Sequence, residues 1–558
     1  MAQSKALNNV FKLNGIIDVK EPRFGAKGDG TTDDRAALNL ARAHATGLTN
    51  GGMLFFPPGT YRVSSNLTFE SDVTLFFAGG AMLSVDTAIT VTINGGLIAP
   101  LRQIFSGAGT VLPNSEFIDA LYPHWWGALG NGSADDYTAI TACITAARNT
   151  SQRTVKLTAG TFLIGTLPLD ISGVNVHGAG CIATKIKRSN SASGAYTVKL
   201  DGSTSGGAAR CSYRDFQIHG NRSGNSNANY ALCLIGNVLD NEFANIQILE
   251  SKTGGFRTVL DSATRPSLIH ATNLQIRDGD GVGIEIAAGL NMGFYNLDIE
   301  EMGGSAINIS GADEAPGRLK FENFWIEKTG DGAIDAVTVA GNADRVQFAY
   351  GNVQDYGNSA GTAGHGINIS AGRRVRLTGL DISPRAGSSG ASHRKIVIGS
   401  SSGAIAIEDH SFVVADIEDN STRSTYSNDS LGLQQIVTTN DTSIAAGATR
   451  YLAPFTGGTS ATQTDVRVFA AGRMRLRELR VESVPLPGVG QTYTITLYKN
   501  GSATALTVQL TNSVASTADT TNEVALEPGD NYSFQVVSSG GATALAAHNV
   551  HITCGVFK

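Results

Sequence analysis

Between residues 216 and 382 a short apolar-polar-apolar triplet returns seven times: Phe216-Gln217-Ile218, Ile246-Gln247-Ile248, Leu274-Gln275-Ile276, Leu297-Asp298-Ile299, Phe324-Trp325-Ile326, Gly351-Asn352-Val353 and Leu380-Asp381-Ile382. Their third residues stand 30, 28, 23, 27, 27 and 29 positions apart. Alternation of period two is the signature of a strand with one buried face, and a spacing in the range of roughly 20 to 50 residues means one solenoid turn per repeat. A second strand is expected after a turn in several repeats, at Gly283-Ile284-Glu285-Ile286, Ala306-Ile307-Asn308-Ile309, Gly332-Ala333-Ile334-Asp335 and Gly366-Ile367-Asn368-Ile369. Asn245, Asn273, Asn296 and Asn323 precede four consecutive triplets, which predicts a column of stacked amides bonded along the solenoid axis. With 66 glycines in 558 residues a helical repeat is excluded. The fold class predicted is all-β, a right-handed parallel β-helix.

A longer repeat lies upstream. Phe24-Gly25-Ala26-Lys27-Gly28-Asp29-Gly30-Thr31-Thr32-Asp33-Asp34 returns as Trp126-Gly127-Ala128-Leu129-Gly130-Asn131-Gly132-Ser133-Ala134-Asp135-Asp136, at an offset of 126 minus 24, or 102. Each copy runs into helically spaced apolar residues and then a strand ending in a Gly turn, so each reads as loop, short helix, strand. The double Asp is expected to cap that helix and fix the loop. The Gly-rich loop lacks the Lys-Ser/Thr of a phosphate cradle.

These tandem segments, followed by β-helix rungs, resemble the pectate-lyase-like superfamily as it occurs in bacteriophage tailspikes and capsule depolymerases; the resemblance spans residues 20–410. It implies a homotrimer on the virion, at the phage tail, that recognises and endo-cleaves a bacterial surface polysaccharide at the host cell surface. The stretch before Phe24 resembles the short N-terminal peptides of spikes that dock on another tail protein. The organisation expected is a virion-attachment peptide at 1–20, a first β-helix segment at 21–110, the main β-helix at 111–415, a Ser/Thr/Asn/Asp-rich linker at 416–445, and a C-terminal β-sandwich at 446–558. Strands of that sandwich are expected at 476–484, 493–498, 505–510, 532–537 and 550–556, with Lys499-Asn500-Gly501-Ser502 as a hairpin turn. The sandwich resembles the jelly rolls that trimerise phage spikes or bind carbohydrate.

Charge narrows the partners. The chain carries 42 basic and 48 acidic residues, a net of −6, with no basic block to release counterions from nucleic acid. No apolar run approaches the roughly 18 residues of a spanning helix, so membrane insertion is not expected, and the first 13 residues lack the sections of a signal peptide. Five scattered cysteines without a CxxC predict reduced, mostly buried thiols. No cofactor and no metal is expected: Asp278-Gly279-Asp280-Gly281 lacks the spacing of a calcium loop.

A protein that cuts a glycan needs an extended groove, aromatic faces for sugar rings and two carboxylates across the scissile bond. Outward residues of successive rungs supply columns about 4.8 Å per step. The middle triplet residues give Gln217, Gln247, Gln275, Asp298, Trp325, Asn352 and Asp381; two places on stand His219, Leu249, Arg277, Glu300, Glu327, Gln354 and Ser383. Glu300 and Glu327, helped by Asp298, are therefore the candidate catalytic carboxylates, and Trp325 and Arg277 candidate substrate contacts. A second column is expected to align Glu285, Asn308, Asp335 and Asn368, with Asp331 in the preceding turn, which makes Glu285 and Asp335 further candidates. Against these stands the reading of outward carboxylates as solvated groups with Arg277 and Lys328 as counter-charges. His365, in Gly364-His365-Gly366, is expected to be a turn residue. Hydrolysis by a carboxylate pair is the reaction expected. The alternatives are β-elimination by a lyase, using Arg277, Lys328, His365, Tyr350 or Tyr356, a non-catalytic receptor-binding spike, and a secreted plant-wall pectinase.

Overall fold

The computed structural model describes residues 15–557 except 152, 204–207, 330–333, 357–363, 385–393, 404, 409–416, 420–423, 428–433, 441, 456–457, 471–473, 484, 513, 515 and 547–549. Most of the proposed attachment peptide, Asp331 and the Gly332-Ala333 half of one expected strand lie outside the described residues. The fold is a parallel β-helix followed by antiparallel sheets. It divides into two compact units, Met1–Gly281 and Val282–Lys558. No helix among the described residues is long and apolar enough to cross a membrane.

In the first unit, strands between Ile16 and Pro113 form three short parallel sheets. Each duplicated segment is a strand and a helix, Asp29–Asp33 with Arg35–Thr46 and Asn131–Asp135 with Tyr137–Arg148. The two aspartates of each pair divide the expected labour. Asp33 and Asp135 accept from the first helical N–H groups, of Arg35 at 3.1 Å and Tyr137 at 3.0 Å. Asp34 and Asp136, both buried, turn back instead: Asp34 accepts from Lys27 N and Gly28 N, and Asp136 from Leu129 N and Gly130 N. They fix the loop and do not cap the helix, because a buried carboxylate must take donors where it is enclosed. Beyond the second copy, Gly160–Ile164, Thr184–Arg188, Ser212–His219, Val238–Leu249 and Ser267–Gly279 stack in parallel.

In the second unit, Leu290–Met302, Gly317–Thr329 and Asp344–Tyr356 stack in parallel, register partner over register partner. Each 13-residue strand bends at left-handed residues five apart: Asn291, Asn296 and Glu301; Arg318, Asn323 and Lys328; Arg345, Tyr350 and Asp355. That conformation is tolerated best by Asn and Asp among non-glycine residues, which explains the asparagine column. Its amides are bonded between rungs, Asn323 to Asn296 here and Asn273 Nδ2 to Asn245 Oδ1 at 2.8 Å in the first unit. Inside, Phe294, Phe321 and Phe348 stack face to face with centroids 4.9 Å apart at each step. Each such buried ring contributes on the order of 2 to 3 kcal/mol.

One expectation about organisation is corrected. The stretch expected as a linker, 416–445, contains strands among its described residues: Ile417–Asp419 and Ser424–Ser427 pair in parallel with the solenoid strands Ile396–Ile398 and Ile405–Glu408, and Gln434–Thr439 pairs antiparallel with Val550–Phe557 in the C-terminal sheets. The polar composition that suggested a loop also suits strands. The sandwich strands are otherwise near the predicted ones, with Ser516–Leu526 added, and Lys499 pairs with Ser502 across a turn whose Asn500 and Gly501 both have positive φ. Four of the five cysteines are buried.

Candidate functional site

The left-handed corner at Asn323 shifts the phase of alternation by one residue. Before it Phe321 is inward and Lys320 and Glu322 outward; after it Phe324 and Ile326 are inward and Trp325 and Glu327 outward. Asn296 does the same one rung earlier, leaving Asp298 and Glu300 outward around the buried Ile299. Register then fixes the columns. Asp298 opposes Trp325, which opposes Asn352 and then Asp381; Glu300 opposes Glu327, which opposes Gln354 and then Ser383.

Trp325 is 38% exposed although it is the bulkiest side chain on this face. Its indole N–H donates to Glu327 Oε2 at 3.1 Å. The other Glu327 oxygen lies 3.4 Å from Lys328 Nζ, which also stands 3.7 Å from Glu301. The hydrogen bond to Glu327 and then its charge hold the Lys328 ammonium above its ordinary range. Chemically the cluster joins two neighbouring carboxylates, an exposed aromatic face and one cation.

Sequence reasoning did not single out the facet before the corner, where Tyr295 opposes Glu322, Lys320 Nζ lies 5.4 Å from the Tyr295 ring centroid, and Lys320 pairs with Glu322 at 2.6 Å. Carrying the alternation backward through the asparagine would have found it. Arg277 belongs to the first unit, where it opposes Leu249.

The second expected column is corrected. Glu285 opposes Asn308 as predicted, but the following partners are Thr338 and Asn368, not Asp335. The strand is Val337–Val339, because Ala336-Val337-Thr338-Val339 buries β-branched residues where Ile334-Asp335 would not. Asp335 lies in the preceding turn, where its two oxygens accept from His365 N at 2.9 Å and Asn368 Nδ2 at 2.7 Å. His365 lies just before the strand Ile367–Ile369, its Nδ1 accepting from Arg394 N at 3.2 Å.

Comparison with known proteins bears on the N-terminal end. Residues 16–100, which hold the first loop-helix-strand copy, match the family model described as rhamnogalacturonase A/epimerase, pectate lyase-like. Mannuronan C5-epimerase AlgE6 of Azotobacter vinelandii is 43% identical over 72 residues, which take in 11% of this chain and 8% of that protein, so the chain spans under a tenth of the curated relative it matches. Solved structures with a similar course include the enzymatically active domain of tailspike protein 2 from bacteriophage CBA120, at 12% identity and a TM-score of 0.45 over 78% of this chain and 79% of that one. The A-module of the Azotobacter vinelandii mannuronan C-5 epimerase AlgE4 follows at 17% identity and a TM-score of 0.35, over 55% of this chain and 91% of that one.

Proposed function

We propose that this chain is a bacteriophage tailspike that cleaves a bacterial surface polysaccharide within the chain by hydrolysis, with Glu300 and Glu327 as the working carboxylates. The observation that carries the reading is the register pairing of Glu300 with Glu327 beside an outward indole. Neighbouring rungs stand about 4.8 Å apart. That is close to the separation of about 5 to 5.5 Å in a retaining glycosidase and short of the roughly 6.5 to 9.5 Å that leaves room for an attacking water.

An indole N–H only donates, so the Glu327 oxygen it reaches is an acceptor; Glu327 is the carboxylate that attacks the anomeric carbon, and Glu300 the acid that protonates the leaving oxygen. Water then releases the sugar, returning its proton to Glu300. Asp298, on the same strand face as Glu300, is placed to hold a ring hydroxyl, and Trp325 offers its face to a pyranose. The family resemblance of the tandem loops supports a homotrimer at the phage tail, attached through its N-terminus to another tail protein. A β-eliminating lyase is the second reading, favoured by the Lys328 ammonium beside Glu327, which would neutralise a uronate carboxylate. Incubation with host surface polysaccharide separates the readings: new reducing ends without ultraviolet-absorbing unsaturated ends support hydrolysis, unsaturated ends support elimination, and neither supports a receptor-binding spike.

A further inference from the structure

One corner of the second unit departs from the pattern of its column. The register pairs Glu322–Ala349 and Phe324–Gly351 leave Asn323 and Tyr350 at the same corner on neighbouring rungs. Asn296 holds that corner one rung earlier, and the pairs Ala349–Thr378 and Asn352–Asp381 bring Gly379 to it one rung later. All four are left-handed, with φ of 52° at Asn296, 55° at Asn323, 55° at Tyr350 and 61° at Gly379. Asn and Gly adopt this conformation at little cost, whereas for a bulky side chain it is an outlier held against steric resistance. Among the described left-handed residues of the solenoid, Tyr350 alone is aromatic.

Nothing inside the protein accounts for a tyrosine there. Tyr350 is 59% exposed, against 38% for Trp325. Its hydroxyl makes no hydrogen bond with a described residue. The ring is nevertheless supported: a Cβ at Gly379 would come within 2.7 Å of Cδ1 and 3.1 Å of Cε1, so one edge of the ring fills the space that the glycine leaves. Gly379 thus meets two demands, a left-handed backbone and room for its neighbour's ring. Strain kept at an exposed position is a mark of function.

The surroundings point to the kind of ligand. Lys320 Nζ, near enough to the Tyr350 phenol to feel its charge, is already paired with Glu322 and set over the Tyr295 ring. Arg376 is likewise paired with Glu408. The charges beside Tyr350 are therefore compensated, and the Tyr295 face is taken by the lysine. Trp325 stands one rung before Tyr350 and two residues past the corner. From a rung spacing of about 4.8 Å and a rise of about 3.3 Å per residue, the two Cα atoms lie within about 8 Å of each other. Two outward rings on one wall, neither needed by the core, offer successive apolar faces.

We propose that Tyr350 is a sugar-stacking residue: its ring takes the face of a pyranose unit next to the unit on Trp325, and the corner retains a strained tyrosine for that contact. The inference rests on the glycan-acting reading above. It assigns Tyr350 to binding and not to proton transfer.

Three measurements test it. Tyr350→Asn places at the corner the residue found there on the two preceding rungs, so this variant is expected to unfold at a higher denaturant midpoint than the parent. A lower midpoint would show that packing keeps the tyrosine and would overturn the proposal. In steady-state kinetics on host surface polysaccharide, Tyr350→Asn should raise KM about fivefold with kcat little changed, and Tyr350→Phe should restore KM. A parental KM in Tyr350→Asn overturns the proposal, as does loss of kcat in Tyr350→Phe, which would give the hydroxyl a proton to move. The third measurement needs no turnover: nitration by tetranitromethane, mapped by mass spectrometry on the full chain carrying Glu327→Gln. The probe is methyl β-D-glucopyranoside, whose axial C–H groups form an apolar face, and the control is D-sorbitol, which has the hydroxyls without the ring. The glucoside is expected to slow nitration of Tyr350 by about twofold or more, and sorbitol to leave it unchanged. Equal slowing by both, or by neither, overturns the proposal. Protection by the glucoside in a chain whose parent cleaves no polysaccharide would uphold this assignment and sink hydrolysis alone, so the two failures are distinguishable.

Discussion

Trp325 and Glu327 lie two residues apart on one outward strand face, and the indole N–H of the first donates to a carboxylate oxygen of the second at 3.1 Å. One side chain thus combines a flat apolar face with a donor that orients its neighbour. Trp325→Phe retains the face and loses the donor; Trp325→Ala loses both. The Phe variant is expected to lower kcat with KM little changed. The Ala variant should also raise KM about tenfold, equivalent to about 1.4 kcal/mol. Steady-state kinetics on host polysaccharide checks both, and an unchanged KM in Trp325→Ala would remove this residue from the sugar-binding surface.

Glu300→Gln and Glu327→Gln keep shape and hydrogen-bonding capacity while abolishing proton transfer and nucleophilic attack. Each is expected to leave the unfolding midpoint close to the parent and to depress turnover by about a hundredfold or more. Because the two occupy adjacent rungs, the first product should retain its anomeric configuration, which proton NMR reads within one turnover period. Inversion would show that the partner carboxylate lies farther away than a neighbouring rung.

The outward columns were legible because the alternation around Ile299 and Ile326 fixes which residues face out, and the repeat spacing fixes which of them align. The left-handed corners were legible through their asparagines. Asp335 was not: Gly332-Ala333-Ile334-Asp335 and Ala336-Val337-Thr338-Val339 both alternate well enough to be the strand, and only pairing with Asn308 and Asn368 decides between them. The rungs Ile417–Asp419 and Ser424–Ser427 were hidden by composition, since Ser-Thr-Tyr-Ser serves a strand as readily as a loop. The burial of the outward Gln217 and His219 was not legible either, because nothing in the strand Ser212–His219 distinguishes them from the outward residues of other rungs.

The asparagine corners offer a stability test with a sign that depends on mechanism. Asn323 has a φ of 55° and its amide is bonded to Asn296. Asn323→Ala incurs the left-handed penalty of about 1 kcal/mol and loses the interamide bond, worth about 1 kcal/mol. Asn323→Gly loses only the bond, apart from glycine's chain entropy. Denaturant unfolding should therefore rank the parent above Gly and Gly above Ala. The reverse order would mean that side-chain packing, not backbone conformation, selects asparagine here.

Acid sensitivity is built into the C-terminal sheets at Asp519. Burial alone would raise this carboxyl, but donors from Asn522, Thr521 and Thr507 overcome it and hold the pKa at about 2. A carboxyl whose folded value is depressed adds stability that is fully present above its ordinary value near pH 4 and is lost as pH falls toward 2. Asp519→Asn cannot titrate. The melting temperature of the C-terminal transition should fall more steeply between pH 4 and pH 2 in the parent than in the variant, so the two curves converge. Parallel curves would assign the acid response to other groups.

Gly351 occupies the triplet position held by Phe324 one rung earlier, and the two are register partners. Its φ is not left-handed, so backbone freedom does not explain the glycine. Space does: a Cβ at Gly351 would overlap the Phe324 ring, which is 3% exposed and packs edge-on against Phe348 with centroids 6.0 Å apart. The large ring and the missing side chain are volume complements on neighbouring rungs. Gly351→Ala is expected to destabilise by about 1 to 3 kcal/mol, the usual range for overpacking a filled core. Because Phe324 directly precedes Trp325, a displaced ring should also disturb the outward indole and lower turnover. Shrinking the partner tests the cause. Phe324→Leu alone leaves a void and destabilises, but in combination with Gly351→Ala the two losses should sum to less than their separate values, a coupling visible in a double-mutant cycle by denaturant unfolding. Strict additivity would mean that the glycine is kept for some reason other than the ring above it.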